Sequence, residues 1–230
     1  NTMKYLEEKI NSEFGLKTNI NGNISYQVLP SPRLIIENVG IDFNNSAKRS
    51  TKIDKIFVLI SPLKIQNLQS LELNKVLIID QKIKIYSQDF KNYFKYFTLQ
   101  KQKTIRFENS EIFFVDEQGN RVVFEQVNLE ESFGKNKHQI SGDTIFSKNK
   151  IKLKFINNIE SEKYLKVNIP NLNQSLDIKF DPETTMDNFI GELKLQVLGS
   201  ILLLNFKGRD NFVISNSYLR NKFLNSKING

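Results

Sequence analysis

Between Ile151 and Val197 the chain alternates with a period of two. Ile151, Leu153 and Phe155 interleave with Lys150, Lys152 and Lys154, and Leu165, Val167 and Ile169 with Lys166 and Asn168. Leu176, Ile178 and Phe180 interleave with Asp177 and Lys179, and Leu193, Leu195 and Val197 with Lys194 and Gln196. Each segment is therefore a strand with one apolar and one wet face. Antiparallel sheets have this character, because only one of their faces must meet a core. Something has to cover the apolar side. Either the sheet folds onto itself as a sandwich, or it curls into a trough whose interior takes an apolar ligand. The residues alone leave both open. A common interior predicts that Leu153, Leu165, Val167, Ile178 and Leu195 face the same way.

The texture extends through most of the chain. Thr18 to Phe43 reads as two strands joined at a fixed corner. Gly22, within Ile20-Asn21-Gly22-Asn23, marks a turn or bulge where a side chain is not tolerated. Ile24, Tyr26 and Val28 give the first strand an apolar face, and Pro30 and Pro32 end it, since neither can donate to a ladder. The second strand is expected to carry Ile35, Val39, Ile41 and Phe43 on one side. After a polar loop at 44–52, strands follow at 53–60, 71–80 and 82–86. From Thr104 onward nearly every segment is strand, with Gln118-Gly119-Asn120 and Lys148-Asn149 as hairpin turns. Short segments punctuated by Gly, Asn, Asp and Pro have the spacing of an up-and-down antiparallel meander. Helix is expected only at 1–14, where Leu6, Ile10 and Phe14 recur before Gly15, and at 88–99. There Phe90, Tyr93, Phe94 and Phe97 form an aromatic stripe that closes the end of a core. The fold class is thus mainly β, as one domain over 1–230 with a soft seam near 98–104.

A further texture recurs without strict period. "ENV", "NKV", "ENS" and "EQV" end at Val39, Val76, Ser110 and Val127, each in or just before a strand. A sheet that lengthens strand by strand would generate such echoes.

Two of these stretches carry a family resemblance. "INGNIS", the run into "LPSPRL" and "IENVGIDF", then "KIDKIFVLISPLKIQNLQSLELNKVLIID" at Lys52–Asp80, resemble in order and spacing the opening of the AsmA family of bacterial envelope proteins. The likeness covers roughly the first third of the chain, and none of its motifs carries catalytic chemistry. It favours the trough, since that family is similar to the β-groove lipid-transfer proteins of the chorein type. It implies a protein on the periplasmic side of the inner membrane, anchored by an upstream helix. Its partner would be phospholipid moving toward the outer membrane. The chain starts at Asn1 and is read as a segment of a longer protein, with that anchor outside it. The competing expectation is a closed β-sandwich acting as a scaffold or adhesion module without ligand.

Other classes find little support. A net charge of +8 invites a nucleic-acid reading, yet the basic residues are dispersed and interleaved with Asp and Glu rather than clustered. No nucleic-acid partner is expected. With no Cys there are no disulfides, thiolate nucleophiles or Cys-bound metals. No apolar run approaches the roughly 18 residues of a membrane-spanning helix. His138, the one imidazole, is read as a surface residue beside Lys137. No phosphate loop, paired-His motif or nucleophile elbow appears, and Asp116-Glu117 and Glu130-Glu131 read as solvated strand ends. The reading is of a non-enzymatic protein without cofactor or metal.

Overall fold

A computed structural model describes residues 2–42, 51–61, 71–87, 103–134, 137–158, 163–181, 184, 189–208 and 212–230. The aromatic helix expected at 88–99, Phe43 and Pro62 lie outside these. The described chain is mainly β, with one α-helix, and falls into two compact units, 1–133 and 134–230. The seam expected at 98–104 lies within the span of the first unit.

In the first unit, α1 (Thr2–Phe14) is followed by β1 (Lys17–Ile20), β2 (Ile24–Gln27), β3 (Arg33–Asp42), β4 (Thr51–Ile60) and β5 (Leu73–Ile79). Then come β6 (Lys82–Tyr86), β7 (Thr104–Val115) and β8 (Arg121–Phe133). Leu6, Ile10 and Phe14 recur every four residues, and all three are buried. Gly15 ends the helix at a φ of 62°, its N–H donating to the Asn11 carbonyl at 2.8 Å. The buried stripe covers the sheet, packing with Ile36, Ile41, Ile56, Val76 and Ile78 into one core. Burying each such side chain is worth about 1.5–3 kcal/mol. Two polar ties fix the helix. The Ile20 N–H donates to Glu7 Oε1 at 2.6 Å, and Glu13 lies between Lys9 at 3.1 Å and Lys103 at 2.8 Å.

Most pairings are antiparallel, as expected, but β7 runs parallel to both β5 and β6. The two short strands meet β7 at one constant offset, Lys75 opposite Thr104 and Lys82 opposite Glu111. They act as one strand interrupted at Asp80-Gln81. The expected all-antiparallel meander is broken there.

Leu34 and Ile36 are buried together with Val39 and Ile41, so the expected grouping of Ile35 with Val39 and Ile41 is wrong. Asn38, with a φ of 51°, inserts a kink that reverses the phase of β3. The same reversal occurs in β4 between Ile53 and Ile56, in β7 around Asn109 (φ 46°) and in β8 around Gln126 (φ 47°). Asp80 (φ 57°) breaks the β5–β6 strand opposite Asn109. The kinks lie on one line across the sheet and bond to each other. Asn109 Nδ2 donates to Asp80 Oδ1 at 2.6 Å, and the Asn109 N–H donates to Asn128 Oδ1 at 2.9 Å. Asn128 Nδ2 in turn donates to the Gln126 carbonyl at 2.9 Å, and the Asp54 N–H donates to Gln81 Oε1 at 2.9 Å.

Gly22 lies at the head of this line. A β-carbon there would collide with the Glu37 carbonyl oxygen and stand 2.7 Å from its carbon, so close backbone approach excludes a side chain, as expected. Pro30 and Pro32 fall between β2 and β3. The apolar face predicted for β2 is not realised: Ile24 is half-buried, but Tyr26 and Val28 are exposed, because β2 pairs only with β3 at the sheet margin.

The second unit contains β9 (Lys137–Phe146), β10 (Asn149–Asn158), β11 (Lys163–Ile169), β12 (Gln174–Phe180), β13 (Phe189–Val197), β14 (Ser200–Gly208), β15 (Phe212–Arg220) and β16 (Asn225–Ile228). Each pairs antiparallel with the next in chain order. The first hairpin turns at Ser147-Lys148, one residue earlier than the sequence suggested. Among the described residues of this unit, only β15 carries an internal kink, at Asn216 (φ 47°), where Ser217 is buried and accepts the Asn205 N–H at 2.9 Å.

Candidate functional site

The register of the second unit decides which side chains share a face, because directly paired residues point the same way. Leu153 pairs with Val167, which pairs with Leu176, then Leu195 and Leu202. One step along, Phe155 pairs with Leu165, then Ile178, Leu193 and Leu204. Leu153, Leu165, Val167, Ile178 and Leu195 therefore lie on one face, in two adjacent rows. The rows cross five strands, roughly 19 Å at the usual strand spacing.

Every member of both rows is half-buried, and among the described residues of this unit no second layer lies over them. Gly191 sits on the same face beside an edge-to-face pair of rings, Phe180 and Phe206, whose centroids are 6.4 Å apart. A β-carbon on Gly191 would meet the Lys179 carbonyl oxygen and come within 2.9 Å of Phe206.

His138 also belongs to this face. It is buried, its ring meeting Phe155 edge-on at 5.8 Å, so the expectation of a surface histidine is corrected. Flanking Lys137 misled that reading, since neighbours in a strand point to opposite sides.

The opposite face is charged. A hollow of about 680 Å³ lies on it, bordered by Lys154, Lys166, Asp177, Lys194, Tyr164 and Tyr218. Lys166 and Asp177 approach to 3.4 Å, and the Lys154 ammonium stands 5.8 Å from the Tyr164 ring centre. Leu165 and Ile178 border the hollow as well, although their register turns their side chains away from it. The apolar rows and the hollow are thus two sides of one sheet.

Asp116, at the β7–β8 turn, is held below the usual carboxylate range by the Asn120 side chain, with help from the N–H groups of Asn120, Gln118 and Gly119. It serves the turn. Among the described residues no cluster of His, Asp or Glu has the arrangement to hold a metal ion. No helix among them is long and apolar enough to cross a membrane. Comparison with family models, with characterised proteins and with solved structures finds no match to this chain.

Proposed function

We propose that this chain is a non-enzymatic lipid carrier of the cell envelope, holding acyl chains against the apolar face of β10–β14. The observation that supports it is the pair of aliphatic rows, continuous over five strands and left half-exposed. Each methylene buried on such a face is worth about 0.8 kcal/mol, so a contact along the rows holds an acyl chain without any polar site. The resemblance of residues 18–80 to the AsmA family supplies the setting: phospholipid as ligand, the periplasmic side of the inner membrane, an upstream anchoring helix and traffic toward the outer membrane. Effects on outer-membrane assembly would follow from altered membrane composition. A closed sandwich without ligand needs a second layer against the rows, and the described residues of this unit supply none.

Denaturing extraction after native purification, followed by mass spectrometry, should release phospholipid from the parent protein. Ile178→Asp places a carboxylate in the second row. The variant should remain folded and yield markedly less lipid. Recovery of no lipid from the parent, together with unfolding of the variant, would overturn the proposal.

A further inference from the structure

The strands of the second unit alternate in direction, so the hairpins β9–β10, β11–β12, β13–β14 and β15–β16 all turn at the same end of the sheet. Each tip presents an apolar side chain to water. Phe146 stands at the first and Leu172 at the second, Leu198 is 86% exposed at the third, and Phe223 is 90% exposed beside Leu224 at the fourth. Successive tips are two strands apart, roughly 10 Å, so the row extends roughly 30 Å. Isolated exposed leucines are ordinary on protein surfaces, but a repeated series along one end is not.

Leu198 adds a second oddity. It occupies the first position of a two-residue turn with a φ of 50°, ahead of Gly199 at 75°. That position suits Asn, Asp or Gly, and a leucine there is strained as well as exposed. The turn gains nothing from it locally, since the side chain is almost wholly in water. Phe223 is displayed in an ordered way: the N–H groups of Phe223 and Leu224 both donate to Asn221 Oδ1 at 2.8 Å. The first two tips are tied together by Asn171 Nδ2 donating to Asn149 Oδ1 at 2.6 Å.

At these four tips the charge has one sign. The four tip sequences contain Lys148 and Lys222, with Arg220 just before the last, and no Asp or Glu. Apolar side chains interspersed with cations, without carboxylates, match the interface of an anionic bilayer, where apolar groups enter the acyl boundary and cations meet headgroups.

We propose that this row of hairpin tips is a docking edge for an anionic phospholipid membrane surface. Leu198 and Phe223 insert at the interface, and Lys148, Arg220 and Lys222 contact the headgroups. The proposal is separate from acyl-chain carriage on the apolar face, and the two can fail independently.

The chain contains no Trp, so Leu198→Trp and Phe223→Trp each create a single fluorescent reporter. With vesicles of phosphatidylcholine and phosphatidylglycerol, both should shift their emission to the blue, and lipids brominated on their acyl chains should quench them. Vesicles of phosphatidylcholine alone should give a much smaller effect, and added salt should weaken binding. Val213→Trp, an exposed position at the start of β15, should remain unshifted. The double variant Leu198→Asp/Phe223→Asp should partition into anionic vesicles about tenfold less or weaker still, while the lipid it carries on purification is unchanged. Absence of a shift at both tips overturns the proposal. So does an equal shift at Val213→Trp, which would indicate general adsorption, or a shift that appears with protein concentration and no vesicles, which would indicate association between copies.

Discussion

The two units are built from the same kind of strand, yet they treat their apolar faces differently. In the first, α1 lies over the sheet, and Ile10, Phe14, Ile36, Ile41, Ile56 and Ile78 are 0% exposed. In the second, the apolar rows are at least as regular, but only Ile151 and Ile156 among the described apolar side chains are buried. Alternation decides which side a residue points to; burial depends on what lies over that side. The second face retains strand geometry and gives up the stabilisation that a cover would provide.

The sharpest way to break this contrast is to place the same charge in both units. Ile56→Asp puts a carboxylate into a closed core and should destabilise the first unit by about 4 kcal/mol or more. Ile178→Asp leaves its carboxylate within reach of water and should cost about 1 kcal/mol. Hydrogen exchange followed separately for β4 and β12 measures both. If Ile178→Asp opens β12 as fully as Ile56→Asp opens β4, the second face is not accessible to water and the contrast is false.

Legibility of the sequence follows the same division. Strands of the second unit are straight apart from Asn216, so a period of two runs uninterrupted and placed Leu153, Leu165, Val167, Ile178 and Leu195 on one face. In the first unit each kink changes the phase. The residues on the core side then read as Ile36-Glu37-Asn38-Val39, Ile53-Asp54-Lys55-Ile56, Phe107-Glu108-Asn109-Ser110 and Phe124-Glu125-Gln126-Val127, with the buried Ser110 as the one polar member. A spacing of three inside a strand signals such a kink, and "ENV", "ENS" and "EQV" were three of its instances. "NKV" was not, since Lys75 lies in regular strand. The echoes therefore mark aligned bulges rather than a sheet lengthening strand by strand. The exposed hairpin tips are not legible in the sequence because single apolar residues in turns have no periodicity; only the topology brings them to one end.

Two glycines test whether the units share a tolerance for crowding despite their different covers. Gly22→Val must displace the Glu37 backbone, and Gly191→Ala must displace the Lys179 carbonyl. Each should cost about 1–3 kcal/mol, read from denaturant midpoints at unchanged slope. A cost for Gly191→Ala near zero would mean that the open face lets the strand move aside. The contrast between the units would then extend from side chains to backbone.

Smaller effects are expected at the kinks. Asn109→Val and Asn216→Val each force a β-branched residue into the left-handed region, for about 1–2 kcal/mol. Asn109 has in addition its bond to Asp80 within the aligned row, and Asn216 stands alone. Asn216→Gly should therefore be close to neutral, while Asn109→Gly should still lose part of its stability. Equal tolerance of glycine at both sites would show that alignment of the kinks adds nothing.

The smallest effect separates two turns by their response to acid. At the β7–β8 turn, Asp116 accepts the Asn120 side-chain amide at 2.8 Å and the N–H groups of Asn120 and Gln118 at 2.7 and 2.9 Å. These bonds favour the ionised carboxylate, so its folded pKa lies below the ordinary value of 3.8. A depressed pKa means that the contribution is fully present above the ordinary value and is lost as pH falls through the lower, folded one. The β9–β10 turn is held by Asn149 Nδ2 donating to the Ser147 carbonyl at 2.9 Å, a bond between groups that do not titrate. Amide chemical shifts of Gln118 and Asn120 should thus move through an acid step that those of Lys148 and Asn149 lack, and Asp116→Asn should abolish that step. If both turns shift together, or if Asp116→Asn retains the step, the acid response belongs to the sheet as a whole rather than to this carboxylate.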